Sequence, residues 1–392
     1  MLTRAAPLAL LLVACAPREP SLAERADAAQ ARGAAFLVAS QGEDGAWRST
    51  TYGFLRGGWA LTAACTKALV FAPADPAAAA AAERGLAFLA GAVGDDGEVD
   101  GERLGLAYPV YTASLAVIAF AAVERLEPGR FAAPRAAWQR LLERHQLGPE
   151  LGWEEDDAAF GGWSYAATPP WKGAPSPFEA DLSSTLFALG ALRLAGVPAD
   201  DARIRRALRF VERCQNLPLA GEAPDPARDD GGFFLSPSVA LQDKAGGVRV
   251  TSLRLRAASY GTASADGLRA LLRCGVARDD PRVVAAERWL AGRWDPARVP
   301  AAGDDARPGE LEAAWTYWSW SSAHALVEAG RFTLDDGRDW GRELSLELLA
   351  RQRPDGAWSN PHTLLKEDDP LVATPMALAA LALARVAHAE VR

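Results

Sequence analysis

Cysteine, histidine and methionine are scarce in this chain of 392 residues, which contains 4 cysteines, 4 histidines and 2 methionines. No Cys-x-x-Cys pair and no clustered His and Cys set is present, so the ligand spacings of a zinc site are missing. We therefore expect neither a metal nor a cofactor. The histidines are scattered along the chain, at His145, His324, His362 and His388.

An excess of positive charge is also missing. The chain carries 42 lysine and arginine residues against 50 aspartate and glutamate residues, which gives a net charge of −8. A nucleic-acid-binding surface needs a basic patch to contact phosphates, so this balance argues against nucleic acid as a partner. The Gly-x-Ser-x-Gly turn of α/β hydrolases and the Gly-Lys-Ser/Thr phosphate loop are absent, which removes the sequence signal for two large enzyme classes.

The first residues have the pattern of an export signal. Arg4 precedes an apolar stretch at residues 5–13, which is too short to span a bilayer. Residues 12–15 read Leu-Val-Ala-Cys and resemble a bacterial lipobox. An ordinary cleaved signal with a chance cysteine and a buried N-terminal helix are the alternatives.

The lipobox interpretation divides the N-terminus into three parts. It predicts a lipoprotein signal peptide at residues 1–14, lipid attachment at Cys15 and a tether at residues 15–22. Acyl chains on Cys15 would anchor an exported protein to the bacterial cell envelope without a spanning helix. Because Ala16 follows the cysteine, the expected location is the periplasmic face of the outer membrane, where the cell has one.

The other cysteines are Cys65, Cys214 and Cys274. An exported protein can form disulfides, and Cys214 and Cys274 both lie near predicted helix ends. Buried free thiols in alanine-rich helices are the alternative, and the sequence leaves this choice open.

One short phrase is repeated along the chain. Residues 41–47 read Gln-Gly-Glu-Asp-Gly-Ala-Trp and residues 352–358 read Gln-Arg-Pro-Asp-Gly-Ala-Trp, each after an apolar helical stretch. Recurrence at a spacing of about fifty residues indicates one supersecondary unit copied six times. The looser copies are Asp95-Asp96-Gly97, Gln146 with Gly161-Gly162-Trp163, Gln215 with Asp230-Gly231-Gly232-Phe233, and Trp294-Asp295.

Each unit has apolar helical stretches on both sides of its turn, which predicts helical hairpins. Such hairpins can spiral into an open superhelix or close into a ring. The second stretches, at residues 114–122, 186–195 and 376–384, are apolar nearly all round, as is typical of helices buried on most sides. We predict an all-α fold, an α6/α6 toroid, formed by a single domain of six repeats at residues 23–388.

Units of outer helix, Gln-x-x-Asp-Gly-x-Trp turn and inner helix resemble the prenyltransferase and squalene-oxidase repeats. That family includes squalene–hopene cyclases, related terpenoid cyclases and the β-subunits of protein prenyltransferases. The resemblance covers residues 23–386, and the worn copies make the chain a degenerate member. It implies an α6/α6 barrel with a central cavity and does not by itself define an activity.

The class II cyclases of that family protonate an alkene with the central Asp of an Asp-x-Asp-Asp-Thr-Ala segment. The matching segment here begins at Asp181 and reads Asp-Leu-Ser-Ser-Thr-Leu, with Ser183 at the position of the proton donor. Because the pKa of a hydroxyl is far above that of a carboxylic acid, standard cyclisation is not expected. The acidic run at residues 154–157 is interpreted as a solvated loop.

Prenyltransferase β-subunits instead hold zinc with Asp, Cys and His on inner helices. Residues 312–318 resemble their Asp-x-Cys-Tyr-Ser-Phe-Trp segment, but Ala314 occupies the cysteine position. No histidine is present in residues 368–375, where the family places one. The resemblance therefore implies no zinc site here.

By repeat position, the first turns of the inner helices converge on one mouth of the ring. An apolar pocket with a few hydroxyls and carboxylates there would suit a hydrophobic ligand. The aromatic side chains of residues 315–320 either line that pocket or pack between helices. Asp181 and Asp266 are weak catalytic candidates or, alternatively, helix N-caps. The predicted ligand-binding residues are Tyr111, Asp181, Ser183, Ser184, Tyr260, Asp266, Trp315, Tyr317, Trp318 and Trp320.

These observations predict a lipid-anchored toroid that binds a hydrophobic, isoprenoid-type ligand and lacks standard class II cyclase chemistry. One alternative is a terpenoid cyclase or another isoprenoid-modifying enzyme with displaced acids. The other is a periplasmic scaffold that binds a protein partner through Pro-rich loops such as residues 168–177.

Overall fold

The structure is a computed structural model that describes residues 18–174, 176, 178–238, 244–246, 248–251, 254–302 and 307–391. Over these residues it contains thirteen α-helices, two 3₁₀ turns (Gly53–Leu55 and Pro149–Leu151) and one antiparallel pair of short strands, β1 (Arg249–Val250) and β2 (Leu255–Arg256). The helices are α1 (Leu22–Ala39), α2 (Trp59–Val70), α3 (Pro76–Ala90), α4 (Pro109–Glu124), α5 (Ala132–Arg144), α6 (Leu182–Leu194), α7 (Ala202–Arg213), α8 (Gly261–Arg273), α9 (Pro281–Gly292), α10 (Pro308–Glu312), α11 (Trp315–Ala329), α12 (Trp340–Arg351) and α13 (Pro370–Glu390).

The helices form two concentric layers. The inner helices are α2, α4, α6, α8, α11 and α13; each contacts the next, and α13 returns to contact α2. The outer helices are α1, α3, α5, α7, α9 and α12, and α1 contacts both α12 and α3. The predicted α6/α6 toroid is therefore confirmed, and an open superhelix is excluded.

The repeated turn joins neighbouring hairpins through its glutamine. In the first unit the Gln41 side-chain amide donates to the carbonyl of Gly45 in its own turn, at 2.9 Å, and to that of Ala81 in α3, at 2.8 Å. Each such glutamine satisfies a turn carbonyl and a carbonyl of the next outer helix. The other copies are Gln146 to Gly161 and Arg203, Gln215 to Gly231 and Arg282, and Gln352 to Gly356 and Ala29.

The turn glycine is required for two reasons. Gly161 has φ of +89°, which an L side chain rarely adopts, and a Cβ there would lie 2.0 Å from the carbonyl oxygen of Arg206 in α7.

The aromatic residue of the turn is held by hydrogen bonds from both its side chain and its backbone. In the first unit the Trp47 indole donates to the carbonyl of Leu37 at 2.7 Å, and its backbone N–H donates to the Thr62 hydroxyl at 3.0 Å.

The ring has two different ends. The repeated turns and the N-termini of the inner helices lie at one end, which we call the turn end. The C-terminal halves of the inner helices surround the axis at the opposite end, which we call the cavity end. Among the described helices, α13 alone is long and apolar enough to cross a membrane, but it packs against α2, α11 and α12 as an inner helix.

The N-terminal predictions are tested only in part. Residues 1–17, with the predicted signal peptide and Cys15, lie outside the described residues. Helix α1 begins at Leu22, the last residue of the predicted tether, and Ser21 and Glu24 form a capping box there.

The remaining cysteines are buried free thiols. Cys65, Cys214 and Cys274 form no disulfide, so the second of the two alternatives holds for the described cysteines. Burial raises the pKa of the Cys274 thiol to about 12, which keeps that sulfur protonated and unreactive.

Candidate ligand-binding site

A cavity of about 980 Å³ opens at the cavity end of the ring. Its volume lies in the upper part of the range of known ligand pockets. Most of its wall is aliphatic or aromatic, and five of the six inner helices contribute apolar side chains. The main apolar residues are Ala68 of α2, Leu115 and Ile118 of α4, Phe187 and Leu194 of α6, Trp320 of α11, and Leu378, Ala379, Ala382 and Leu383 of α13.

Six cationic side chains also line the cavity: Lys67, Arg125, Arg193, Arg269, Arg273 and Arg385. Arg385 is paired with Asp27 at 2.6 Å, and Arg193 donates to the carbonyl of Val197. Lys67 of α2 and Arg269 and Arg273 of α8 form a cluster in which the two arginines act electrostatically on the lysine. The Lys67 ammonium and the Arg269 guanidinium lie over the same indole ring, that of Trp320, at 5.7 and 4.4 Å from its centroid. Burial, together with the charges of Arg269 and Arg273, lowers the pKa of Lys67 to about 8. The three cations therefore repel one another across a shared space.

Glu328 of α11 is the acid that balances part of this charge. Its carboxylate accepts from Arg273 at 2.9 Å and from Arg269 at 3.4 Å. Burial works against its ionisation, yet Arg273, His324 and Arg269 together hold the pKa of Glu328 well below its usual range. Burial lowers the pKa of His324 to about 3, helped by Arg269, so this imidazole is neutral near pH 7.

Four of the predicted ligand residues form a chain of hydrogen bonds nearer the turn end, which we call the polar hub. The Tyr111 hydroxyl donates to Ser183 Oγ at 3.0 Å, and Ser183 Oγ lies 2.7 Å from the Tyr317 hydroxyl. Tyr317 donates to Asp266 Oδ2 at 2.8 Å, and the Ser321 hydroxyl also donates to Asp266. These bonds tie together α4, α6, α11 and α8.

Aromatic rings and one arginine lie between the polar hub and the cavity. Arg269, which lines the cavity, donates to the Ser321 hydroxyl of the hub at 3.0 Å. Phe187 and Trp320 line the cavity, whereas Tyr111, Tyr317 and Asp266 do not. The Phe187 ring packs edge-on against Tyr111, at 4.8 Å between centroids, and lies 5.1 Å from Trp320. A molecule in the cavity would therefore meet Phe187 and Trp320 before the hub.

The two predicted acids have different roles in the fold. Asp181 is the N-cap of α6 and accepts from the backbone N–H of Ser184 at 2.8 Å and from its hydroxyl at 2.7 Å, so the capping alternative is confirmed for this residue. Asp266 lies one and a half turns inside α8, so that alternative is wrong for it. Burial raises the pKa of each of these carboxyls to about 6.

The remaining predicted aromatic residues pack between helices. The Trp315 indole donates to the carbonyl of Pro296 at 3.0 Å, and the Trp318 indole donates to that of Asp295 at 2.9 Å. Tyr260 is fully buried at the start of α8. Of the ten predicted ligand residues, Trp320 alone lines the cavity, and ligand binding by the others stays a prediction.

Sequence reasoning missed Lys67, Arg269 and Arg273. Their signal was present in the sequence, because a lysine in the apolar stretch of α2 and two arginines one turn apart in α8 place charge on helices predicted to be buried. It also missed Glu367, which is buried and accepts the backbone N–H groups of Thr316 and Tyr317 at 2.9 and 2.8 Å. Burial raises the pKa of Glu367 to about 7.

Two predicted surface features can be located. Residues 154–156 are exposed, and Glu155 forms an ion pair with Arg209 at 2.5 Å, which confirms a solvated acidic loop. Residues 175 and 177 of the Pro-rich loop lie outside the described residues, so partner binding there stays a prediction. In the part of the chain that the structure describes, no group of three His, Cys, Asp or Glu side chains could hold a metal ion.

Solved structures share this fold, although no protein-family model and no curated protein matches the chain. The type II terpene cyclase MstE from Scytonema, in complex with merosterolic acid A, is 15% identical, with a TM-score of 0.57 over 93% of this chain and 99% of that chain. A protein from Actinoplanes is 19% identical, with a TM-score of 0.52 over 92% of this chain and 99% of that chain.

A glycoside hydrolase also shares the architecture. An inactive variant of the α-1,6-mannanase GH76A of Salegentibacter sp. HEL1_6, in complex with α-1,6-mannotriose, is 12% identical, with a TM-score of 0.51 over 95% of this chain and 100% of that chain. Identities this low show the toroid fold alone. Because a terpene cyclase and a mannanase both have this fold, the function must be argued from the site.

Proposed function

We propose that this protein binds a hydrophobic, isoprenoid-type ligand in the cavity of the ring and does not catalyse standard class II cyclisation. The observation that carries the proposal is the cavity of about 980 Å³, with its mainly aliphatic and aromatic wall. Burial of apolar surface would drive binding, at about 25 cal/mol for each Å² removed from water. The terpene cyclase MstE, which has been solved with geranylgeranyl dihydroxybenzoate as substrate, supports an isoprenoid as the ligand class.

The absence of class II chemistry is argued from the acids. Ser183 occupies the expected position of the proton donor, and its hydroxyl is hydrogen-bonded to Tyr111 and Tyr317. Asp181 caps its own helix, and both oxygens of Asp266 accept hydrogen bonds within the hub. Neither carboxyl lines the cavity, so neither is placed to protonate an alkene bound there.

Calorimetric titration with geranylgeraniol tests the proposal. Ala382 lines the cavity, so Ala382→Trp should weaken binding at least about tenfold by occupying ligand volume. Ala79→Trp, at an exposed position of α3, is the matched control and should bind as the wild type does. Equal binding by the two variants would reject the proposal, as would wild-type protein that binds neither geranylgeraniol nor its phosphate.

A second candidate function is favoured by one observation, the carboxyl of Asp266 with its pKa raised to about 6 by burial. Because Asp266 does not line the cavity, it could act as the acid of an isoprenoid-modifying enzyme only on a ligand that reaches past Phe187 and Trp320 to the hub. Incubation with squalene or geranylgeranyl diphosphate, followed by product analysis, tests this function. A product formed by the wild type and lost in Asp266→Asn would favour it over simple binding.

We also propose that the protein is exported and acylated at Cys15. The first residues of α1, Leu22 and Ala23, line the cavity, and the chain from Cys15 to Leu22, with six residues between them, spans at most about 25 Å. Phe71 and Val386 also line the cavity and are 56% and 51% exposed, which gives its mouth an apolar rim. An acyl anchor would therefore hold the cavity mouth close to the bilayer.

Metabolic labelling with radioactive palmitate tests the anchor. The wild-type chain should incorporate label and fractionate with membranes, and Cys15→Ser should do neither. Cys65→Ser, which changes a buried thiol, is the control and should leave labelling unchanged. Unlabelled wild-type protein, or labelled Cys15→Ser, would contradict acylation at this residue.

A further inference from the structure

We propose that the ligand of the cavity is an amphiphile with an acidic head group, a phosphate or a carboxylate, held by Lys67, Arg269 and Arg273. This inference rests on the proposed function and narrows it to one class of ligand. The head group would lie among the three cations, and the apolar chain would follow the wall formed by α4, α6 and α13.

The charge balance of the cavity favours an anion. Lys67, Arg269 and Arg273 all line the cavity, and Glu328 is the acid that contacts two of them. Asp266 does not line the cavity; its oxygens accept from Tyr317 and Ser321, and the Ser321 oxygen in turn accepts from Arg269 at 3.0 Å. The cavity therefore has more positive than negative charge on its wall, and an acidic head group would remove that imbalance.

Of the three clustered cations, Lys67 has the least compensation. Among the described residues its ammonium has no hydrogen-bond acceptor and no ion pair, and it lies 5.7 Å from the centroid of the Trp320 ring. A half-buried charge without a partner is costly unless water or a ligand solvates it. A phosphate or carboxylate would accept from the ammonium and form the strong, charge-assisted type of hydrogen bond.

Arg273 is held in position on the same wall. Its guanidinium donates to Glu328 at 2.9 Å and to the carbonyl of Leu186 in α6 at 3.3 Å. Gly190 of α6 leaves space for this group, since a Cβ there would lie 2.3 Å from Arg273 Nη1 and the guanidinium would have to move aside.

The distribution of polarity favours an amphiphile over a small anion. The three clustered cations come from α2 and α8, whereas Leu115 and Ile118 of α4 and Leu383 of α13 belong to an apolar part of the wall. The arginine that α13 adds to the lining, Arg385, is already paired with Asp27. A small inorganic anion would leave that apolar surface in contact with water, and a chain attached to the anion would cover it.

Calorimetry with two probes that differ only in the head group, geranylgeranyl phosphate and geranylgeraniol, tests the inference. The wild-type protein should bind the phosphate at least about tenfold more tightly than the alcohol. Lys67→Met and Arg273→Met should each reduce the affinity for the phosphate by about tenfold and leave the affinity for the alcohol unchanged. Lys366→Met, which removes a lysine outside the cavity lining, is the control and should behave as the wild type.

The outcomes separate the two proposals. Equal wild-type affinity for both probes would overturn the anionic head group and leave hydrophobic binding intact. Binding of neither probe would overturn both. Because the wild-type comparison needs no variant, the inference stays falsifiable even if a substitution prevents folding. Circular dichroism melting of each variant establishes whether a lost affinity reflects lost structure.

Discussion

At the turn end of the ring, buried polar groups are bonded to one another, whereas at the cavity end a cation faces open space. Tyr111, Ser183, Tyr317 and Asp266 form a continuous chain of hydrogen bonds near the turns. Lys67 has no acceptor among the described residues, although it lies on an inner helix of the same ring. Polar groups that satisfy one another stabilise a fold, while a cation left open to a cavity is available to a ligand.

The largest expected effect comes from breaking the turn end at a repeat whose glutamine bonds are intact, that of Gln146. Gly161→Val should reduce the free energy of unfolding by roughly 4 kcal/mol or more, because the side chain meets both a positive φ and the backbone of α7. Urea denaturation monitored by circular dichroism measures this loss.

Gly97→Val in the worn second repeat is the matched control. Gly97 has φ of +77°, but no atom lies within 4 Å of its Cβ position, so the expected loss is only about 1–2 kcal/mol. Equal losses in the two variants would show that contact with the next outer helix does not matter.

The second prediction uses pH to distinguish the ends. At the turn end, the pKa of Glu367 is raised to about 7, so the folded protein binds more protons than the unfolded chain between pH 4.5 and 7. Above pH 7 the buried Glu367 carboxyl is ionised, which lowers the free energy of unfolding. Acidification to pH 4.5 protonates this carboxyl and raises the free energy of unfolding by roughly 3 kcal/mol. In Glu367→Gln that gain should be absent when stability at pH 4.5 is compared with stability at pH 7.

His324 at the cavity end should show the opposite sign. Its pKa is lowered to about 3, so between pH 3 and 6.5 the unfolded chain binds the proton and stability falls on acidification. His324→Leu should therefore lose less stability than the wild type as the pH is lowered through 6.5. Parallel pH profiles for the two variants would contradict the assignment of these groups.

The smallest expected effect is at the hub. Tyr317→Phe removes the hydroxyl that joins Ser183 to Asp266 and should reduce unfolding free energy by about 1–2 kcal/mol. Binding at the cavity end should not change, because Tyr317 does not line the cavity. Tyr108→Phe is the control, since no described residue accepts a hydrogen bond from the Tyr108 hydroxyl. A tenfold loss of ligand affinity in Tyr317→Phe would show that the two ends are coupled.

The same comparison shows what could be predicted from the sequence. The repeated glutamine, glycine and tryptophan predicted six hairpins and a closed ring because these residues form the same turn and the same hydrogen bonds in each regular copy. Repeat position also brought Tyr111, Ser183, Tyr317 and Asp266 to one place, since all lie early in inner helices.

The location of the cavity could not be predicted in the same way. Repeat position indicates which residues share a level of the ring, but the open volume depends on how large the side chains at each level are. Phe187 and Trp320 line the cavity on the side of the hub, and the small side chains of Ala379 and Ala382 line it elsewhere. Lys67 was overlooked because a lone lysine in an apolar helix carries no repeating pattern.

The hydrogen bond between the last repeated turn and α1 has a consequence for biosynthesis. The Gln352 amide donates to the carbonyl of Ala29 at 2.8 Å, and Tyr52 donates to Asp368 at 2.6 Å, so the two ends of the chain meet at one seam. Until α12 and α13 have been translated, α1 and α2 have no partner for the apolar faces they later cover. A nascent chain that stalls before residue 340 would therefore present two uncovered edges, and such fragments should associate with one another rather than fold.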